Sequence, residues 1–354
     1  MPNKGKLVLI SAVSLLPSCF GLWWLSIGFI IYLSIHGIFY VYLKKIASQK
    51  WLKIFRQILM VLNVFMVAIL LRMFVFEICR VPTASMENTV QTGDYIVVNK
   101  LAYGPVLPNG ISDVPWLQAL QPDSYAHKNT ATNPTLYSRS FYRRLTGYDN
   151  IQRMDIIIFD DPVRQNELLV KRLIGLPGDT LQMIDGTVFV NGSKLQMPET
   201  GKSFFRLFCR VESKLFQELQ NQRKIWDKKR QCFLLNLTPV EASTFQELAE
   251  CDSIHPSIDA GDPGAKGWPG TLHPNWTRDN FGPIVISEKQ KNGKINNNNS
   301  TDLYFVLGDN RSESIDSRTF GLIPEKSIKG KASAILFSSA SDKSLFRRII
   351  KIPH

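Results

Sequence analysis

The sequence predicts a mainly β, antiparallel domain carrying a partly helical insertion, set behind two N-terminal transmembrane helices. Three observations support this. Two long apolar stretches fall within the first 76 residues, short runs rich in β-branched residues recur between residues 95 and 337, and Gly, Pro and Asp punctuate those runs. No ten-residue helical pattern alternates with the strand-like runs, which argues against a parallel α/β sheet.

The membrane segments come first. Residues 20–43 contain no acidic or basic side chain and suffice to cross about 30 Å of hydrocarbon as a helix. Residues 57–76 (QILMVLNVFMVAILLRMFVF) form a second span, interrupted by Asn63 and by Arg72, which lies near the end and can snorkel. Between them, residues 44–56 hold Lys44, Lys45, Lys50, Lys53 and Arg56 with no acid. Positive loops stay inside, so this reads as a cytoplasmic loop, with everything after residue 77 on the outer face. The expected division is an anchor at 1–78 and an extracytoplasmic domain at 79–354, with insertions at about 103–150 and 199–300. Leu7–Leu16 is apolar but short of a span and is cut by Pro17, which suits a surface helix or one arm of a tight hairpin. A cleaved secretory signal is the other reading of this end; the second span and basic loop favour retained anchors.

With 354 residues, 44% of them hydrophobic, the chain can bury one sizeable core or two smaller ones beside its anchor. A net charge of +12 would suit nucleic acid or anionic lipid equally. The basic loop between two apolar stretches makes lipid the expected partner, and nucleic acid is not expected.

Strands are expected at Tyr95–Asn99, Asp155–Phe159, Leu168–Ile174, Thr187–Val190, Leu303–Leu307 and Ala332–Phe337. Within the second insertion Phe204, Phe208, Val211, Leu215 and Leu219 recur at helical spacing, predicting a helix there. A second helix is expected from Thr238, where Pro239 and Glu241 complete an N-cap, a first-turn proline and a capping box. Residues 290–301 are polar and of low complexity, a flexible loop by composition, while 103–150 show no clear period. The five cysteines at 19, 79, 209, 232 and 251 form no CxxC, so neither a zinc site nor a disulfide framework follows. Cys19 and Cys79 read as inert, and two of Cys209, Cys232 and Cys251 can pair if the compartment is oxidising.

The chemistry rests on Ser85, a few residues beyond the second span and just after Pro82. By itself a loop serine is usually a solvated or capping hydroxyl. His36, His127, His255, His273 and His354 sit in no catalytic motif, so a Ser-His-Asp triad has little support. A lysine could serve as base if burial lowered its pKa from about 10.4 by about three units. Lys171, in LLVKRLIGL, is the candidate: on a strand, Val170 and Arg172 face one side and Lys171 the other. On those residues alone, a snorkelling lysine is the plainer reading.

Four stretches change that balance. VPTASM (81–86), RMDIIIF (153–159), LVKRLIGLPGD (169–179) and LGDNRSESIDSRTFGLIP (307–324) together resemble, in family order, the boxes of type I signal peptidases. The resemblance implies an antiparallel β catalytic domain of the signal peptidase type and a serine endopeptidase with a Ser-Lys dyad. Its substrates would be exported precursor proteins with signal peptides, cut after small residues at an Ala-X-Ala site. It implies Ser85 as nucleophile, Lys171 as general base, Ser314 as the residue orienting the lysine, and an oxyanion hole of the Ser85 N–H and Thr83 hydroxyl. Asp309 would pair with Arg172 and Asp316 with Arg318 as supports, and Val81, Ile158 and Val170 would line shallow substrate pockets. No metal or organic cofactor is implied. Three positions depart from the family's usual residues: Thr83 for serine, Ala84 for glycine, and Asn88 for a proline whose loss is expected to loosen the turn. A self-cleaving regulator with the same dyad would need a DNA-binding domain where the spans lie. A catalytically inactive, membrane-tethered module of the same fold and a metal site on Cys251, His255 and His273 are the weaker readings.

Overall fold

The structure, a computed structural model, describes residues 30–35, 37, 48–108, 142–164, 167–258, 267–287 and 301–338. Most of the expected first span, the 7–16 stretch and most of 103–150 and 290–301 therefore lie outside the described residues. The chain divides into two compact units, Met1–Glu77 with Gly104–Thr146, and Ile78–Tyr103 with Gly147–His354.

In the first unit, α1 (Gln49–Leu70) runs into a π-helical segment, Leu71–Val75. Together they make 27 residues whose most apolar 18-residue stretch has a mean hydropathy of 2.6, among the described residues the one helix long and apolar enough to cross a membrane. It begins eight residues before the expected span at 57. Nothing in QKWLKIFR breaks a helix, so Lys50, Lys53 and Arg56 lie on its opening turns and not in a loop. The polar interruptions are satisfied locally: Asn63 Nδ2 donates to the Leu59 carbonyl at 2.8 Å, and Arg72 pairs with Glu77 at 3.0 Å. Phe76, expected to close the span, already belongs to strand β1 (Phe76–Arg80).

The second unit is built on a seven-stranded sheet. After β1 come β2 (Asp94–Asn99), β3 (Ile156–Asp160) and β4 (Leu168–Gly175). A smaller sheet follows with β5 (Thr180–Ile184), β6 (Thr187–Val190) and β7 (Ser193–Lys194). The insertion supplies β8 (Ser203–Cys209), α2 (Lys214–Asn221), β9 (Ile225–Asp227), β10 (Cys232–Leu237), α3 (Pro239–Gln246) and β11 (Cys251–Pro256). The chain then returns through β12 (Phe281–Val285), β13 (Leu303–Leu307), β14 (Ile323–Pro324) and the eleven-residue β15 (Ile328–Ser338). The sheet orders are β1-β2-β15-β3-β4-β13-β14, β11-β8-β10-β9 and β12-β5-β6-β7. The expected strands at 187–190 and 303–307 match, and the other four are found with slightly shifted ends. Because β3 is covered on both faces, Ile156–Phe159 reads as a continuous apolar run and not as alternation, while β4 is buried from Val170 onward with Lys171 and Arg172 among its apolar residues.

The insertion departs from expectation at its start. Phe204 and Phe208 lie on β8, and only Leu215 and Leu219 lie on a helix, α2, which begins where Ser213 caps the Phe216 N–H. A spacing of four keeps residues on one face of a strand as well as of a helix, so the pattern ran unnoticed across a β–α junction. The α3 start is as expected: Glu241 N–H donates to Thr238 Oγ1 at 3.2 Å and Thr238 N–H to Glu241 Oε2 at 2.8 Å. Leu207, Phe216, Leu219, Phe233, Leu235 and Ile254 fill the core between this sheet and its helices. Cys209 and Cys251 are cross-strand partners on β8 and β11, whereas Cys232 lies on the other neighbour of β8; all three thiols are free.

Candidate active site

Pro82, which has no N–H to continue a ladder, lies just beyond β1, and Thr83 stands at the N-cap position of a single 3-10 turn, Ala84–Met86, without a side-chain capping bond. Ser85 lies inside that turn and is only 4% exposed. Its N–H belongs to the first turn, where no intrahelical acceptor exists. Strand β4 carries Lys171 to the same place. At 1% exposed, its Nζ donates to Ser85 Oγ at 2.5 Å and to the Val170 carbonyl at 3.1 Å. Burial drives the ammonium down to about 8, against the opposing pull of Asp316, Asp161 and Asp309. Thr83 Oγ1 lies 3.1 Å from Ser85 Oγ on the other side. A hydroxyl touching a desolvated amine can pass it a proton, which is what an activated serine requires.

The supports are also gathered. Arg172 grips Asp309 in a bidentate pair, Nε to Oδ1 and Nη2 to Oδ2, each 2.8 Å, with both side chains buried. Its third contact is the Met154 carbonyl at 2.9 Å, offered by a residue held at φ 74°. Asp316 accepts from Arg318 Nε at 2.9 Å and from the Gly308 N–H at 3.1 Å. Burial alone would raise the Asp316 carboxyl, but Arg318 and Arg311 hold it at about 2. Gly308 is required by contact: a Cβ there would fall 2.5 Å from the Ser85 carbonyl oxygen and 2.2 Å from Ser314 Oγ.

Ser314 is buried beside Gly308, but its hydroxyl is not among the hydrogen-bond partners of Lys171 and has no partner in this arrangement. Asn88, at the position where a proline is usual, has a backbone that proline could not adopt. It sits at φ 75°, a conformation closed to proline, and its Nδ2 donates to the Thr200 carbonyl at 2.9 Å.

Val81, Ile158 and Val170 do come together, buried in one cluster with Met86. Three contributors escaped the sequence reading. Thr89 donates to Asp309 Oδ2 at 2.6 Å, Met154 supplies its carbonyl, and Asn310 contacts the Ser85 turn. Met154 and Asn310 lie inside the quoted stretches, so only their roles were hidden, whereas Thr89 falls three residues beyond the first of them. Cys251, His255 and His273 form no common site: among the described residues no three His, Cys, Asp or Glu gather to hold a metal ion.

The profile described as "Signal peptidase, peptidase S26" matches residues 51–255 and 274–337, which contain all four motif stretches. The chain belongs to the peptidase S26 signal peptidase family. It is therefore a serine peptidase, a hydrolase of peptide bonds. Among its relatives, the signal peptidase I of Buchnera aphidicola is 24% identical over 316 residues, covering 84% of this chain and 80% of that protein. That of Rickettsia akari is 27% identical over 275 residues, covering 77% and 76%. A signal peptidase I crystal structure from Enterococcus faecalis is 23% identical and covers 52% of this chain and 98% of that one, at a TM-score of 0.24.

Proposed function

We propose that this peptidase removes N-terminal signal peptides from exported precursor proteins at the outer face of the cytoplasmic membrane, cutting after small residues by a Ser-Lys dyad. The observation that carries the proposal is the 2.5 Å contact between Lys171 Nζ and Ser85 Oγ, with both groups buried. The relatives named signal peptidase I support the substrate class.

In this reading neutral Lys171 takes the Ser85 proton as Oγ attacks the scissile carbonyl carbon. The Ser85 N–H and the Thr83 hydroxyl donate to the oxygen that becomes negative, an interaction worth most in the transition state. Collapse breaks the C–N bond, and the lysine ammonium returns its proton to the leaving amine. Lys171 then draws a proton from water, whose hydroxide attacks the ester and releases Ser85. Arg172 with Asp309, and Arg318 with Asp316, hold β4 and the 308–318 loop to the Ser85 turn. Ser314, buried on the same loop, is the residue expected to orient the Lys171 ammonium. In this reading Val81, Ile158 and Val170, which share one buried cluster, line shallow pockets that favour alanine at the recognised positions. Helix α1, with a second span at 20–43, tethers the domain where membrane-held precursors arrive.

The deciding experiment is cleavage of an Ala-X-Ala precursor in detergent by the full chain and its Ser85→Ala and Lys171→Met forms. Cleavage by the parent and its loss in both variants is expected. A parent that cuts nothing would leave a catalytically inactive tethered module; a variant that cuts normally would remove the dyad.

A further inference from the structure

Strand β10 of the insertion reaches the Ser85 turn through one side chain. Asn236 Nδ2 donates to Asn310 Oδ1 at 3.0 Å. Asn310 is fully buried, and its Nδ2 donates to the Ala84 carbonyl at 3.2 Å, with Glu313 Oε2 at 3.4 Å and Glu87 Oε2 at 3.5 Å as longer acceptors, while its backbone N–H donates to the Ser85 carbonyl at 3.0 Å. Asn310 thus binds the two carbonyls that bracket the Ser85 N–H. A carboxamide has a donating and an accepting end, and rotating it by half a turn would aim its oxygen at the Ala84 carbonyl. The carboxylates favour the orientation that keeps the NH2 group on Ala84, and donation from Asn236 at 3.0 Å, the one contact to Oδ1 among the described residues, secures its other end. Asn236 pays for this contact with its own Oδ1, which is buried without a hydrogen-bond partner.

A second connection runs beside it. The Lys202 N–H donates to the Asp309 carbonyl at 2.9 Å, and the Arg311 N–H donates to the Lys202 carbonyl at 2.8 Å, a parallel bridge flanking Asn310. The start of the insertion is therefore stitched to the backbone on both sides of the residue that β10 orients.

We propose that Asn236 is a positioning residue for peptide cleavage: through Asn310 it fixes the Ala84–Ser85 peptide and with it the Ser85 N–H. The four-stranded insertion is accordingly part of the catalytic apparatus. This rests on Ser85 being the nucleophile.

The test compares Asn236→Ala, the nearly isosteric Asn236→Asp, Asn310→Ala and the Asn236→Ala/Asn310→Ala pair, each as full chain in detergent on an Ala-X-Ala precursor, with kcat, KM and Tm measured. A small displacement of reacting groups can cost about a hundredfold, and we expect kcat to fall about tenfold for Asn236→Ala at unchanged KM. Asn236→Asp, which sets a carboxylate against Asn310 Oδ1 and favours the rotated amide, should lose more. The double variant should match Asn310→Ala alone, because Asn236 acts only through Asn310. The proposal is overturned if Asn236→Asp keeps the parental kcat, if the two alanine effects multiply, or if kcat falls only in proportion to a lost folded fraction. Ser85→Ala is run alongside: if it cuts normally, the Ser85 reading itself has failed, whereas a dead Ser85→Ala with fully active Asn236 variants refutes this inference alone.

Discussion

Strands β4 and β10 are both core strands of the second unit, but they are buried on different terms. β10 brings Phe233 and Leu235 into its core, whereas β4 brings Lys171 and Arg172 side by side into an interior just as dry. The two cations then diverge. Arg172 meets Asp309 in a bidentate pair and stays an ion, a brace between β4 and the 308–310 loop. Lys171 meets a hydroxyl and a carbonyl, with carboxylates acting on it only at a distance, so desolvation outweighs attraction and the amine is held ready to take a proton. Adjacent residues of one strand are separated into a structural ion and a base by what the opposing chain offers each.

Removing the partner of the structural ion should have the largest effect. Asp309→Ala leaves Arg172 buried without its carboxylate and should destabilise the fold by about 3–5 kcal/mol, read by chemical denaturation. A loss under about 1 kcal/mol would mean that the pair is not what holds β4 to this loop.

The base should show itself through pH. Activity requires neutral Lys171, so the kcat/KM profile should rise with pH, bend near about 8 and level above it, leaving about a tenth of the maximum at pH 7. The sign for stability follows from the same depression. Between about 8 and the ordinary lysine value the unfolded chain holds a proton that the folded chain has released, so stability increases with pH across that window. Lys171→Met should abolish this slope. A profile rising only near the ordinary lysine value, or a slope that survives Lys171→Met, would show that burial does not set the base.

The sequence disclosed β4 better than the insertion because different forces organise them. The apolar run of β4 and its motif are local, and Lys171 could be singled out from eleven residues. What local sequence could not disclose is which acceptor meets each cation, since Ser85 and Asp309 lie 86 and 137 positions away from Lys171 and Arg172. In the insertion even element type was obscured, because the four-residue spacing of Phe204 and Phe208 suits either period. Only the cap of α3, whose partners are three residues apart, was fully readable there. Asn236 carries no signal at all: an asparagine on an apolar strand acquires its meaning from Asn310, 74 positions on.

The α3 cap also gives the smallest perturbation that sharpens the contrast. Thr238→Ala removes the acceptor for the Glu241 N–H and should cost about 1 kcal/mol of stability, measured by the same denaturation used for Asp309→Ala. The cap stabilises a helix through contacts that no substrate meets, so the pH at which the activity profile bends should stay at its parental value. A shifted bend in Thr238→Ala would mean that the hydration of Lys171 depends on how tightly the insertion is folded. The separation between an apolar, structural β10 core and a charged, reactive β4 would then break down, and Asn236 would be the nearest route for that coupling.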